Sequence, residues 1–580
     1  MPHRQHLFSL RVGYALRESM AEGYGWSGLV RDIAAGATVG VIAIPLAMAL
    51  AVASGVSPQY GLYTAIIAGA LVALLGGSRF SITGPTAAFV VILYPLASKY
   101  GLAGLLVASV MAGIIMIAMA LARLGRYIEY IPESVTLGFT GGIAIVIVVL
   151  QVPDFIGLDL PDLPESFVDR VLLIAGQLPQ MEPWSALLAG FTLAVMIVWP
   201  YLNNSIPPHL PALILASALA LGFSKMGIDI DTVGSRFHYL LPSGAEAGGV
   251  PPFLPALEWP WNRPGANGEP QVLSLELVSD LLPAAFAIAM LGAIESLLCA
   301  VVLDNMSGRR HSANSELLAQ GMANVITPFF GGITSTAAIA RSATNYRAGA
   351  VSPVAGVIHA GIVLLGLLAL SDALSLVPMP AMAALLMVVA WNMSEAPKSI
   401  RLFKRAPRSD VLVLLACLTL TVLFDMVIAI TAGILLASLL FMRELAALTR
   451  VVEISDSDEF VQQRIPANWK VFKIRGPLFF AAADRIFAEL AEHAGECEVL
   501  VLNLRYSSYL DAGGLAAIEK LMAHCEQNKV QLMFAAWQFQ PMKTLARARA
   551  HGKSPLEISF PSLDIAIETI MKRERGYEIE

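Results

Sequence analysis

Long apolar runs follow one another along residues 33–447 of this 580-residue chain. A soluble core can bury a few such runs but not so many in succession, whereas a bilayer supplies an apolar solvent for all of them. The charged fraction of 14% is also well below the roughly 25% usual for soluble domains. We therefore predict a polytopic α-helical membrane protein.

Fourteen apolar segments can be assigned at about 20 residues for a full crossing. In the first half they centre on 33–54, 61–76, 84–98, 101–122, 130–150, 184–202 and 208–223. In the second half they centre on 280–303, 316–330, 337–349, 351–370, 374–393, 409–425 and 427–447. The predicted domains are a cytoplasmic N-terminal segment (1–30) and a transport domain (31–447), with repeat one at 31–223 and repeat two at 279–447.

Two of these segments, 84–98 and 337–349, are too short to span and each follows a stretch rich in Gly, Thr and Ser. They are the third segment of each set of seven. Interrupted segments at matching positions in two halves indicate a structural repeat with its binding site between them. Because seven is odd, the second repeat enters from the opposite side, so the prediction is a seven-plus-seven inverted repeat. The alternative is that both are full helices with small residues at one end.

The distribution of Lys and Arg sets the orientation. Loops on the side of the termini carry most of these residues up to residue 450. The opposite side carries only Lys99, Arg170, Lys225, Arg236 and Arg263. Both termini are therefore expected in the cytoplasm, with the long loops near 151–183 and 224–279 outside. No secretory signal peptide is recognised, so the first apolar run would direct insertion.

The pattern changes after about residue 458. Strand-like runs at 469–474, 499–504 and 530–535 alternate with amphipathic stretches at 483–493, 512–526 and 541–551. This alternation predicts a small α/β domain over 458–575, after a linker at 448–457.

The two short segments form the candidate anion site. A helix that starts at mid-membrane presents unpaired backbone N–H groups and a positive dipole end, and two such ends bind an anion without a formal charge. Glycines permit close backbone approach, hydroxyls add donors and alanines leave room. The alternative is ordinary helix packing through small residues. The candidates are Thr83, Gly84, Pro85, Thr86, Ala87, Ala88, Ser335, Thr336, Ala337 and Ala338.

Two charged residues accompany this site. Glu295 is expected to be the only carboxylate deep in the core segments, and an intramembrane carboxylate is a functional candidate by default. It would carry a proton or, as the alternative, coordinate Na⁺; it could also be structural. Arg341, one turn into the tenth segment, would add positive potential to the anion site, pair with Glu295, or extend its side chain to the cytoplasmic face.

Several function classes are excluded by missing motifs. The sequence contains no Walker phosphate loop, HExxH or GxSxG motif, so ATP-driven pumping and the corresponding enzymes are unsupported. Its four cysteines form no CxxC pair, which leaves no zinc or disulfide framework. Nor is there a basic stripe for nucleic acid. We expect a secondary transporter without cofactor or metal.

Several motifs resemble the SulP family of anion transporters. They are PQYGLYTA (58–65) with GGSR (76–79), SITGPTAA (81–88), ESLL (295–298) and ARSATN (340–345). The C-terminal region resembles the STAS domain through LDAGGL (510–515). The resemblance implies core (segments 1–4 and 8–11) and gate (5–7 and 12–14) domains, a homodimer in the lipid of a bacterial inner membrane, and elevator-like alternating access.

The resemblance also implies roles for further residues. In related anti-sigma antagonists a phosphorylated Ser follows the STAS aspartate, but here Ala512 follows Asp511. A regulatory contact with a cytoplasmic protein near Asp511 is therefore expected. In the first segment, Leu46 and Ala47 follow Pro45, where sulfate-type members often have Gln.

The substrate expectation rests on that comparison. The first segment is less polar than in those members, and the stretches 42–50, 84–93 and 128–140 most resemble members that take up C4-dicarboxylates such as succinate and fumarate. With Glu295 as the proton carrier, we expect this uptake to be coupled to H⁺. The alternatives are a sulfate or sodium-coupled bicarbonate transporter of the same architecture. From another class, an anion channel or a receptor that signals through the STAS domain stays open.

Overall fold

The structure is a computed structural model that describes residues 10–160, 164, 166–202, 207–241, 244–424, 426–455, 465–548 and 555–574. The chain divides into two compact units, Met1–Ile434 and Leu435–Glu580.

The first half of the larger unit is almost entirely helical. A short N-terminal helix precedes the apolar helices, and a two-residue strand precedes the third apolar segment. The elements are α1 (Tyr14–Ala21), α2 (Trp26–Ala53), α3 (Pro58–Leu75), β1 (Thr83–Gly84), α4 (Ala87–Leu121), α5 (Glu133–Ile156), α6 (Phe167–Gln177), α7 (Pro183–Leu202), α8 (His209–Lys225), α9 (Val233–Arg236), β2 (His238–Leu240) and β3 (Glu246–Gly248).

The second half repeats the order of long helix, helix, two-residue strand and half-helix. Its elements are α10 (Leu275–Ser307), α11 (Ala313–Ile326), β4 (Thr336–Ala337), α12 (Ile339–Arg347), α13 (Val354–Ala369), α14 (Ser371–Ser375), α15 (Met379–Met393), α16 (Ala396–Arg405), α17 (Arg408–Leu423) and α18 (Met426–Leu448). The last helix continues into the second unit.

All fourteen predicted segments contain helix, with boundaries that differ by a few residues. Segments three and four form the single element α4, which is broken at Gly101 by a φ of 67°. A Cβ there would lie 2.2 Å from the carbonyl carbon of Gly265, so the break requires glycine. Among the described residues, eight helices are long and apolar enough to cross a membrane. The loop at 151–183 contains helix α6, which the sequence pattern did not predict.

The helices of this unit pack into two groups, a core group and a gate group. In the core group, α4 packs against α10 and α11, and α13 packs against α2 and α3. In the gate group, α5 packs against α15 and α17, and α7 packs against α8 and α15. Glycines bring the core helices together: a Cβ on Gly36 of α2 would lie 2.4 Å from the carbonyl oxygen of Ala355 on α13.

Helix α1 is fixed to the core group by an ionic network. The Arg79 guanidinium pairs with Glu22 at 2.6 Å and with Glu18 at 2.9 Å. Arg309, which follows α10, also pairs with Glu22. The hydrogen bond from Arg79 lowers the pKa of Glu22 to about 2. Burial acts in the opposite direction, and the hydrogen bond from Arg309 lowers the pKa further. One carboxylate therefore joins segments from both repeats.

The second unit contains a five-stranded sheet with the order β5-β6-β7-β8-β9. Its elements are β5 (Arg450–Glu453), β6 (Trp469–Arg475), α19 (Phe480–Ala494), β7 (Val499–Tyr506), α20 (Ala512–Gln527), β8 (Gln531–Ala535), α21 (Phe539–Ala548), β9 (Ser559–Phe560) and α22 (Leu563–Glu574). Strand β5 pairs antiparallel with β6, and the remaining pairs are parallel.

One expected boundary in this unit is wrong. Residues 448–457 were expected to be a linker, but strand β5 lies within them and pairs with β6 from Arg450 opposite Arg475 to Glu453 opposite Phe472. The strand is short and mostly exposed, so its sequence lacks the apolar alternation that marks a strand. The part of the expected linker at 456–457, with 458–464, lies outside the described residues.

Candidate anion site

The two half-helices of the repeats start side by side. Strands β1 and β4 pair antiparallel, with Thr83 opposite Ala337 and Gly84 opposite Thr336. Helix α4 begins three residues after β1, and α12 begins two residues after β4. No side chain in the described structure caps either helix start. The first N–H groups of both helices are therefore available to an anion.

An extended stretch, residues 80–85, holds α12 in place. The backbone N–H of Ile82 donates to Ser342 Oγ at 2.9 Å, and Asn345 Nδ2 donates to the carbonyl of Phe80 at 3.1 Å. The N–H of Ala338 donates to the carbonyl of Ile82 at 3.0 Å. These bonds cross between the two repeats, so they set the geometry of both helix starts together.

The hydroxyls predicted as ligands already contact the protein. Gln320 Nε2 donates to Thr83 Oγ1 at 2.9 Å, which leaves the Thr83 O–H free to donate. Thr336 Oγ1 lies 2.6 Å from Ser296 Oγ and donates to the carbonyl of Gly292 at 3.2 Å. The N–H of Ser335 donates to Asn324 Oδ1 at 2.8 Å. Ser335 and Thr336 thus act here as scaffold.

The remaining candidates differ in accessibility. Residues 83–88 and Ala337 are buried, as is Ala47 on α2. Leu46 and Ala338 are partly exposed. Helix α2 packs against α12, so these two side chains are the apolar candidates for contact with a ligand.

Arg341 is buried and does not extend to the cytoplasmic surface. Its side chain is 3% exposed, and Nη2 donates to the carbonyl of Pro85 at 2.6 Å. The guanidinium lies over Gly84, where a Cβ would approach Nη1 to 2.8 Å. In the described part of the chain Nε and Nη1 have no hydrogen-bond partner. Two buried donors beside the helix starts can bind an anion directly.

Glu295 on α10 lies across from the first helix start. Thr86 Oγ1 donates a hydrogen bond to Glu295 Oε2 at 3.1 Å. Arg341 attracts this carboxylate electrostatically, but the two form no direct ion pair among the described residues. Of the interpretations open for Arg341, positive potential at the site is the one this geometry favours.

Two further carboxylates are buried within the protein, at the ends of their apolar runs. Asp32 on α2 is fully buried and accepts from Tyr24 Oη, the N–H groups of Val351 and Ser352, and Ser352 Oγ. It directly precedes the first apolar run, 33–54, so the hydropathy pattern does not single it out.

Glu316 on α11 is the second carboxylate that was missed. It is fully buried and accepts from the N–H groups of Gly77 and Ser78 and from Gln320 Nε2. Several donors thus surround Asp32 and Glu316, as expected of structural carboxylates. Glu295 has Thr86 alone among the recorded hydrogen bonds, and this distinguishes it from the other two.

Asp511 caps two helices of the second unit. Its Oδ1 accepts from the N–H of Gly514 in α20 at 2.8 Å, and Oδ2 accepts from the N–H of Phe480 at the start of α19 at 3.2 Å. The second of these helix starts lies 31 residues away in sequence. A regulatory role for the same residue stays a prediction.

Comparison with known proteins gives the family. The model of the sulfate permease family matches residues 29–417, and that of the STAS domain matches residues 461–562. A Bacillus subtilis protein named "Putative sulfate transporter YvdB" is 38% identical across 90% of this chain and 94% of its own length. A bicarbonate transporter of Synechocystis is 28% identical, with 86% of each chain covered.

Solved structures agree on the fold. The murine Solute Carrier 26 family member A9 anion transporter, in its inward-facing state, superposes with a TM-score of 0.82 at 17% identity, over 98% of this chain and 95% of that one. The transmembrane domain of a cyanobacterial bicarbonate transporter superposes with a TM-score of 0.60 at 28% identity, over 70% of this chain and 98% of that one. The predicted fold class, a helical membrane core with a C-terminal STAS domain, is confirmed.

These matches span both predicted domains, and the relatives are transporters, not enzymes. The chain belongs to the sulfate permease family and is a multi-pass membrane transporter of anions with a C-terminal STAS domain.

Proposed function

We propose that the chain is a secondary active transporter that couples H⁺ to the uptake of C4-dicarboxylates such as succinate and fumarate. One observation carries this proposal. Two uncapped helix starts meet at the β1–β4 pair beside Arg341, whose Nε and Nη1 have no hydrogen-bond partner among the described residues, and beside Glu295, which Thr86 connects to the same site.

The Thr86–Glu295 hydrogen bond supports coupling. An ionised Glu295 accepts from Thr86 and places a negative charge beside the anion site. A protonated Glu295 removes that charge, so an anion binds more favourably when the proton is present. Anion and proton would then cross the membrane together. Na⁺ in place of H⁺ is less favoured, because Cys299 offers sulfur one turn away and Na⁺ prefers oxygen ligands.

The grouping of helices supports an elevator mechanism. Every site residue on the first unit belongs to the core group of α2–α4 and α10–α13. Movement of this group against the gate group would carry the site across the bilayer as one body. We further propose a homodimer in the inner membrane with both termini in the cytoplasm.

The substrate proposal rests on the apolar candidates. Leu46 and Ala338 are partly exposed and Ala47 is buried beside them. Alkyl groups can contact the methylene carbons of a dicarboxylate, whereas a compact, strongly hydrated sulfate needs more donors to replace its water. In a C4-dicarboxylate, each of the two carboxylates could accept hydrogen bonds from one helix start. The short carbon chain between them would then contact the apolar side chains.

Sulfate is the second candidate. The relative with 38% identity carries the name of a sulfate transporter, and this similarity extends over nearly the whole chain. Bicarbonate is named for more distant relatives at 25–28% identity. Either alternative would use the same two helix starts and Arg341.

Uptake by proteoliposomes tests the function. Labelled succinate flux is challenged with sulfate, bicarbonate, fumarate and aspartate, in wild type and in Leu46→Gln. We expect saturable uptake that fumarate competes with and sulfate inhibits poorly, and stronger sulfate inhibition in Leu46→Gln. Sulfate flux without dicarboxylate flux would reject the substrate. Unsaturable conductance would indicate a channel, and absent flux of all these anions a receptor.

The STAS unit is proposed to regulate transport through contact with a cytoplasmic protein or a second copy. Ala512 removes the phosphorylated Ser of related proteins, so control would come from contact near residues 510–515. Its test must separate this role from assembly, as described in the Discussion.

A further inference from the structure

A histidine near the candidate anion site is buried without a partner. His359 lies in the middle of α13 and is 0% exposed. Neither Nδ1 nor Nε2 has a hydrogen-bond partner in the described part of the structure. Burying a polar group without a partner is unfavourable, and native structures contain few such groups. This arrangement indicates that His359 gains an interaction in another state of the molecule.

The imidazole faces the strand that carries the site. Gly69 of α3 leaves space between the two: a Cβ there would lie 3.4 Å from His359 Nδ1 and 3.4 Å from the carbonyl oxygen of Thr83. The same face of α13 is held tightly, since a Cβ on Gly40 of α2 would lie 2.7 Å from Ile362. His359 is thus held in a buried position near β1.

Arg341 is the charged group that acts on His359 electrostatically. It lies over Gly84, the residue that follows Thr83 in the same stretch. A proton on His359 would place a second positive charge near this buried guanidinium. Burial of the imidazole already disfavours its charged form, and with the site empty repulsion between the two cations opposes proton binding further.

The other titratable groups on the elements packed against α13 already have partners, are exposed to solvent, or lie away from His359. On α2, Arg31 is exposed and Asp32 is saturated by donors at the start of α13. On α3, Tyr60 and Tyr63 lie nine and six residues before Gly69 along the helix. Asp372 on α14 is exposed beyond the far end of α13, and Arg79 is paired with Glu18 and Glu22.

We propose that His359 is a second proton-binding residue of this site, which takes up a proton from the medium when an anion neutralises Arg341. The proposal rests on the proposed function and adds a group distinct from Glu295. Because linkage is reciprocal, acidification then tightens anion binding through His359 as well as through Glu295. A unit charge that acts on a neighbouring unit charge in a protein interior changes affinity roughly ten-fold.

The test uses purified full-length protein in nanodiscs, with sulfate and succinate as probes. Their Kd values are measured from pH 8 to pH 5.5 in the Glu295→Gln background, which removes the other proton site. We expect binding to tighten roughly ten-fold on acidification and this dependence to disappear in Glu295→Gln/His359→Gln. His209→Gln, a histidine of α8 in the gate group, is the matched control and should retain the dependence.

A second measurement does not require a His359 variant to fold. Addition of a saturating anion to weakly buffered Glu295→Gln protein should draw protons from the medium. Binding without proton uptake and without pH dependence would overturn the inference while leaving anion transport intact. Failure of both anions to bind at any pH would overturn the proposed function, and the inference with it.

Discussion

Thr86 Oγ1 lies 3.1 Å from Glu295 Oε2. This hydrogen bond joins the residue that precedes helix α4 of repeat one to the long helix α10 of repeat two. Thr86 is the N-cap residue of α4, yet its side chain does not cap that helix. It turns to the carboxylate instead, and the helix N–H groups stay available. The same bond therefore serves both the anion site and the proposed coupling.

Gly84 is predicted to be essential for anion binding because it supports Arg341. In Gly84→Val, the new Cβ would displace Nη1, which lies 2.8 Å from its position. We expect at least a ten-fold loss of affinity for the transported anion, since a charge-assisted contact is worth roughly 1.5–3 kcal/mol. Ala338→Leu should act similarly by filling the space at the second helix start.

Thermal-shift protection by the anion measures this prediction. Gly190→Val is the matched control, because a Cβ at Gly190 meets nothing within 4 Å. The control should fold and keep its protection. Protection that is unchanged in both Gly84→Val and Ala338→Leu would place the anion elsewhere.

The attachment of α1 is predicted to be insensitive to mild acidification. Arg79 and Arg309 hold the pKa of Glu22 near 2, below its ordinary 4.5. A lowered carboxylate pKa means that the stabilisation is present above the ordinary value and is lost as the pH falls toward 2. Hydrogen exchange of residues 14–21, corrected for its intrinsic pH dependence, should be constant from pH 8 to 5.

The variant Glu22→Gln should raise that exchange at neutral pH, because it removes the charge shared by the two arginines. Arg17→Gln changes an exposed residue of the same helix and serves as the control. A wild-type helix that loosens between pH 7 and 5 would show that other groups hold it.

Asp511→Ala is predicted to destabilise the STAS unit by about 1–3 kcal/mol, because the carboxylate caps two helix starts and one cap is typically worth about 1 kcal/mol. Asp484→Ala removes an exposed ion pair with Lys520 and should cost less than about 1 kcal/mol. Chemical denaturation of the isolated unit measures both. An unaffected stability in Asp511→Ala would refute the double cap.

Deletion of the STAS unit tests whether it regulates transport, provided that the deletion does not cut through its sheet. A cut at Ser455 would separate β5 from β6, so the deletion should begin after Leu448. If transport per folded molecule is unchanged while abundance falls, the unit aids assembly and does not regulate. Regulation requires a change in rate per molecule at constant abundance.

The sequence predicted the helices and the matched breaks because membrane insertion imposes long apolar runs and leaves interruptions conspicuous. The pairing of Thr83 with Ala337 was not predicted, because a two-residue strand leaves no alternating pattern in the sequence. Strand β5 could not be predicted, because its four residues are mostly exposed and its partner lies across a gap in sequence.

The roles of buried polar groups were the least predictable part. Asp32 and Glu316 occupy apolar surroundings like Glu295, and only their hydrogen-bond donors distinguish structural from candidate coupling residues. Those donors come from residues up to 320 positions away. His359 gave no signal in the sequence, since its lack of a partner is visible only in three dimensions.

Uptake of labelled succinate driven by an inward proton gradient, compared between wild type and Glu295→Gln in proteoliposomes, tests the central claim most directly. Glu316→Gln, which alters a carboxylate surrounded by scaffold donors, is the control for stability and should lower the amount of folded protein but not the coupling. We predict that wild type accumulates substrate faster as the outside pH falls, and that Glu295→Gln exchanges substrate but does not accumulate it. Wild-type flux that follows Na⁺ and ignores pH, or accumulation that persists in Glu295→Gln, would contradict the account.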